Sequence, residues 1–146
     1  MSKFGKIDTK DLEKLQGLLS EFDPKERADF CRSSAKELAA RLLAKATSRT
    51  PVGQYSSKSG KVGGTLRRGW TVEPEVKNIG DAYGVDVINP THYASYVEFG
   101  HRTRGGKGWV KGRFMLTESE NEIREQAPKI LERKFEKRIR KILNGK

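Results

Sequence analysis

The sequence predicts an α+β protein in which a small antiparallel β-sheet is packed by a long helix of the N-terminal half and a C-terminal helix. Three observations carry this expectation. Apolar residues recur at three- and four-residue spacing over about 30–46 and 123–143, the helical period. Between about 66 and 88 the pattern changes to alternating apolar and polar residues, the strand period. Stretches rich in glycine, proline and serine separate these regimes. A chain of 146 residues has room for one core, so 1–146 reads as a single domain.

The elements follow in order. Leu12, Leu15, Leu18, Leu19 and Phe22 form an apolar stripe, and Asp8 can cap it, so residues 1–22 read as an N-terminal helical extension. Asp23-Pro24-Lys25-Glu26 is a clearer helix start: a capping aspartate, proline at the first helical position, and a glutamate to complete a capping box. Phe30, Cys31, Ala35, Leu38, Ala39, Leu42, Leu43 and Ala46 continue that helix to about Ser48, where Thr50-Pro51 ends it. Residues 51–65 hold five Gly or Pro and read as a mobile loop. Leu66 to Val76 and Ala82 to Ile88 then form a hairpin turning at 78–81, with Pro74 at an edge or bulge. Thr91 to Gly100 supply one or two helical turns closed by glycine. Residues 101–112 read as a second mobile loop. Thr117 and Glu120 form a capping box for the last helix, which Pro128 is expected to kink or restart.

Composition narrows the function classes. Apolar residues are 34% of the chain, which implies a modest core and a domain that leans on neighbours. No apolar run reaches 18 residues, and the charged start MSKFGKIDTKDLEKL has no signal-like stretch. The single Cys31 allows no internal disulfide, so synthesis in a reducing cytoplasm is expected, with no membrane partner. The net charge is +11, and residues 101–146 hold 14 basic against 6 acidic groups. Such an excess suits nucleic acid, an acidic protein face or plain solvation.

Sites that carry chemistry are sparse. His92 and His101 are the only histidines, and no C-x-x-C or H-E-x-x-H spacing suggests a metal. The glycines at 63–64 lack the phosphate-loop spacing, so neither a cofactor nor a small-molecule substrate is expected. His92, His101, Glu98 and Arg102 are close enough in sequence to compose a ribonuclease acid–base set, the weakest of the readings. No known nucleic-acid module is present, which leaves sequence-independent attraction to phosphate as the main alternative to a structural role. Trp70 opens an alternating strand, and Tyr93, Tyr96 and Phe99 recur every third residue, so Trp70, Tyr93 and Phe99 are expected in the core. Arg102, Arg104, Lys107, Lys111 and Arg113 lie within twelve residues among four glycines and no acid, a candidate surface for DNA or for a protein partner.

The order of motifs is more specific than any one of them. A long helix ends in Thr50-Pro51-Val52-Gly53, and a polar loop leads to Leu66-Arg67-Arg68-Gly69-Trp70. A hairpin leads to Tyr93-Ala94-Ser95-Tyr96-Val97-Glu98-Phe99-Gly100-His101, followed by a Gly/Arg-rich loop and a charged helix. Over about residues 25–140 this resembles the tail completion, or head–tail joining, proteins of tailed bacteriophages and prophages. The loop before Leu66 is longer than the compact form common in that family. The resemblance implies a non-enzymatic virion protein of the neck or tail top, assembled as a ring, six-membered by analogy. It also implies neighbouring neck and tail proteins as partners, with genomic DNA passing through the lumen.

Overall fold

The computed structural model describes residues 23–80 and 82–145; the helical extension expected over 1–22 lies outside the described residues. The elements are α1 (Pro24–Arg49), a 3-10 turn (Ser57–Ser59), α2 (Thr65–Arg68), β1 (Thr71–Val72), β2 (Lys77–Ile79), β3 (Ala82–Gly84), β4 (Val87–Ile88), α3 (Ala94–Phe99), β5 (Gly100–Arg102), β6 (Trp109–Lys111) and α4 (Met115–Asn144). This is the expected mixed α+β architecture, and its two long helices, α1 and α4, pack on each other.

Helix α1 starts as its sequence dictates. Asp23 Oδ1 accepts from the Glu26 amide at 2.8 Å, and Pro24 takes the first helical position, where no N–H is needed. Glu26 does not close the capping box. Its carboxylate instead accepts from Arg138 Nη2 of α4 at 2.7 Å. At the other end Thr50 leaves the helical region ahead of Pro51.

The two long helices run antiparallel and are tied by a ladder of charges. Glu26 meets Arg138, Glu37 meets Lys134 at 3.3 Å, and Glu122 meets both Lys45 at 2.6 Å and Arg49 at 2.8 Å. Phe30 and Phe135 meet edge to face between them, with centroids 5.7 Å apart. Hydrogen bonds from Arg49 and then Lys45 lower the Glu122 carboxyl to about 2 from an ordinary 4.5. A depressed folded pKa means that this contribution is present above about pH 4.5 and is lost as pH falls toward about 2. Glu122→Gln is therefore expected to flatten the dependence of the urea midpoint on pH across that window, and the difference from the parent should shrink in high salt. Parallel curves for parent and variant would show that the ladder adds nothing there.

The hairpin forms as expected, with altered boundaries. β1 pairs with β4 and β2 with β3, both antiparallel, so the two ladders are halves of one hairpin running from 71 to 88. Between them residues 73–76 face only 85–86, and Pro74, which has no amide to donate, sits in this bulge. Ala82–Ile88 is accordingly two short strands. Asn78 and Ile79, expected in the turn, belong to β2, where Ile79 pairs with Ala82. Leu66, expected to open the strand, lies in helical turn α2, where Gly69 donates back to Thr65 and Leu66. The small sheet is thus a set of two-stranded ladders, of which β5–β6 is the third.

The greater departure is at 101–112. In place of a loop, β5 and β6 pair as a second hairpin, with Arg102 opposite Trp109. Thr103 closes its turn: its amide donates to the Gly108 carbonyl, and its Oγ1 accepts from the Gly108 amide, both at 2.9 Å. The base of this arm needs two glycines. Gly100 has φ +89, and a Cβ there would lie 2.5 Å from the Val110 carbonyl oxygen. Gly112 is buried, and a Cβ on it would meet the Glu98 carbonyl oxygen and lie 2.6 Å from the Phe99 carbonyl carbon.

Helix α4 begins at Met115 and passes through Pro128 to Asn144 as one 30-residue helix, so Pro128 does not restart it. Thr117 and Glu120 do not form its cap; the cap comes from Glu98, as described below. The core is small, as the composition implies. Ala39, Ala46, Leu66, Met115 and Ile123 are its buried apolar side chains among the described residues. Trp70 and Tyr93 are half-buried, whereas Phe99 is 61% exposed and is not a core residue. Positions three apart on a helix drift by about 60°, which sets Tyr93 and Phe99 about 120° apart around the axis: Tyr93 is half-buried, and Tyr96 at 57% exposed lies with Phe99 on the outer side.

Candidate functional site

The three motifs singled out in the sequence converge at one junction beneath the arm. Thr50 is fully buried at the end of α1. Its Oγ1 donates to the Ala46 carbonyl and accepts from Trp70 Nε1, each at 2.6 Å. Its carbonyl accepts twice from the Arg67 guanidinium, at 3.0 and 2.7 Å. T-P-V-G and L-R-x-x-W are therefore two halves of one hydrogen-bonded joint. Thr50 ends the helix, and Arg67 and Trp70 lock the returning chain onto that end. Asn89 adds a second tie from its Nδ2 to the Leu66 carbonyl at 2.8 Å.

Glu98, in the third motif, is a buried carboxylate with a structural use. Its Oε2 accepts from the Leu116 amide at 3.0 Å, and its Oε1 accepts from the Thr117 amide and hydroxyl at 2.8 and 2.7 Å. The first amides of α4 have no partner inside the helix, and a negative charge there also suits the helix dipole. The chain is held in place for this by Arg113 and Phe114, whose amides donate to the Val97 and Glu98 carbonyls. Phe114 adopts a left-handed conformation, φ +48, as it turns into α4. With both oxygens committed to this cap, Glu98 is not free to serve the acid–base set considered for a ribonuclease. His92 packs edge-on against Tyr93, and His101 against Tyr96. Among the described residues there is no cluster of His, Cys, Asp and Glu able to hold a metal ion.

Beside the junction is an open hollow of about 300 Å³ lined by Trp70, Val87, Phe99 and Leu116, with Asn89 and Glu120 as polar lining. The exposed part of Trp70 faces this hollow. The arm stands next to it. Arg102, Arg104, Lys107 and Lys111 lie on the arm, all exposed and none in an ion pair among the described residues. Arg113 lies at the base, lining a separate hollow with Tyr55 and Tyr93. The structure thus places four of the five expected cations on the arm and the fifth just past its base, where Arg113 also lines a shallow hollow with Lys111.

Trp109 and Val110 were not singled out by sequence reasoning, yet both are exposed on β6, at 60% and 43%. A signal was available, since W-V inside a basic glycine-rich run has no reason to be there in a purely solvated loop. Thr50 and the capping role of Glu98 were hidden for a different reason: their partners lie 17 to 20 residues away or on another helix.

No helix among the described residues is long and apolar enough to cross a membrane. No curated protein and no solved structure matches the chain. A family model described as "Bacteriophage HK97-gp10, putative tail-component" matches residues 12–100, which takes in α1, the first hairpin and the Thr50–Trp70–Glu98 junction and stops where the arm begins. The chain belongs to the HK97 gp10-like family of bacteriophage tail components.

Proposed function

We propose that this chain is a structural virion protein that joins head to tail, or completes the tail, at the phage neck. It is made in the host cytoplasm and assembles there as a ring, six-membered by analogy, beside other neck and tail proteins. The observation that supports this is the arm. Its strands close tightly at the base on Gly100 and Gly112, and it presents an exposed tryptophan and valine among four cations that form no ion pair among the described residues. Large exposed apolar side chains rimmed by charge are the marks of a protein-docking surface, and an aromatic beside arginine is a frequent anchor of such contacts. A small core and short ladders with open edges likewise suit a domain that completes its packing against neighbours.

Arg102→Ala with Arg104→Ala is expected to leave the fold intact and to lower the yield of joined particles, and adding Trp109→Ala should lower it further. The variants are checked by circular dichroism and scored by electron microscopy of lysates. Normal joining in the triple variant would remove the arm from the mechanism. A mass measurement on isolated necks should show a closed ring, and a single copy per particle would contradict that part of the reading.

A further inference from the structure

Among the described residues a second strong concentration of charge is on α4, outside the residues matched by the family model. The helix divides by sign. Residues 115–125 hold four acids and one base, whereas 129–141 hold seven bases and two acids. The basic half is itself sorted into rows. Lys134 and Arg138 face α1, where Glu37 and Glu26 match them. Lys129, Arg133, Lys137 and Lys141 follow one another at four-residue intervals along another row, all exposed, and none forms an ion pair among the described residues. Glu125, Glu132 and Glu136, the three acids nearby in sequence, also form none among the described residues.

Like charges four residues apart destabilise a helix, so this ridge does not help α4 to form. Nor does it resemble the arm. Among the described residues the large exposed apolar side chain of α4 is Leu143, beyond the end of the ridge, so nothing on the ridge anchors a protein by burial. Four cations at a rise of about 6 Å each span about 18 Å of the axis, in a row that turns by about 40° per step and whose long flexible side chains give a gently curving line of charge. A regular polyanion matches such a line without fixed geometry, and duplex DNA carries a charge about every 1.7 Å of its axis.

We infer that the Lys129–Arg133–Lys137–Lys141 ridge of α4 binds the phosphate backbone of duplex DNA without regard to sequence. The arm is left to meet protein. The inference rests on the tail-component reading only in supplying DNA as a neighbour; the surface itself follows from the charge rows.

The test uses the full chain and a fluorescent mixed-sequence duplex of about 25 base pairs, titrated at several salt concentrations. The quadruple variant Lys129→Gln, Arg133→Gln, Lys137→Gln, Lys141→Gln is expected to bind more weakly and to flatten the slope of log K against log salt by about 3.6, four phosphate contacts at about 0.9 each. The arm variant Arg102→Ala, Arg104→Ala should keep the parent slope, as should Lys129→Arg, Lys137→Arg, Lys141→Arg, which preserves charge and guards against a folding artefact. A parent slope in the quadruple variant, an equal loss in the arm variant, or preference for one duplex sequence would each overturn the inference. Particle joining, scored separately, tests the tail-component reading and does not depend on the outcome.

Discussion

Glu98→Ala is expected to destabilise the protein by about 2–4 kcal/mol. The carboxylate accepts three hydrogen bonds from the first turn of α4, and its loss leaves the Leu116 and Thr117 amides with no acceptor in that position. Removal of an ordinary capping side chain costs about 0.5–2 kcal/mol, and hydrogen bonds to a charged group are worth about 1.5–3 kcal/mol. The upper part of the range applies because Glu98 is only 6% exposed, so water replaces it poorly. Glu98→Gln keeps an acceptor oxygen without the charge and should cost about half as much. Urea denaturation of the two variants distinguishes this from a surface role. A change in Glu98→Ala below about 0.5 kcal/mol, the usual size for surface sites, would mean that the cap does not hold the helix.

Trp70→Ala is expected to cost about 3 kcal/mol, the lower end for truncating a large aromatic, because Trp70 is half-buried rather than enclosed. Two losses contribute. The indole leaves a gap between α1 and the first hairpin, and its Nε1 bond to Thr50 Oγ1, at 2.6 Å, disappears. Trp70→Phe separates them, since it keeps most of the ring and should cost about 1 kcal/mol for the bond alone. Thermal and urea unfolding give the comparison. Unchanged stability in Trp70→Ala with failed particle assembly would instead assign the side chain to an interface, through the hollow it lines with Phe99.

Both predictions concern residues that the sequence marks by type and order but cannot pair. Thr50, Arg67, Trp70 and Glu98 stand in short motifs, and a resemblance to phage tail proteins could be read from their succession. Their chemistry could not. A threonine before proline reads as a helix stop, and only the folded chain shows its hydroxyl and carbonyl gathering three bonds from residues 17 and 20 positions on. A glutamate beside two histidines suggests an acid–base set, and the start of α4, reached 18 residues later, makes it a cap.

What the sequence determined by itself is what local physics decides. The period of α1, its Asp23-Pro24 start and its Thr50-Pro51 end, the presence of a hairpin within 66–88 and the helix through 123–143 all follow from interactions within a few residues. Tertiary structure decided the rest. Residues 101–112 are polar and glycine-rich and look like a loop, but Gly100 and Gly112 let two backbones approach where any Cβ would collide, so the segment closes into an arm. Phe99 has the composition of a core residue, but a six-residue helix has too little inner face for it. The four cations of the α4 ridge could be counted in the sequence, but their freedom from partners depends on which row faces α1. Pairing, burial and close approach are properties of distance in space, and a one-dimensional pattern carries them only when the partners are also neighbours along the chain.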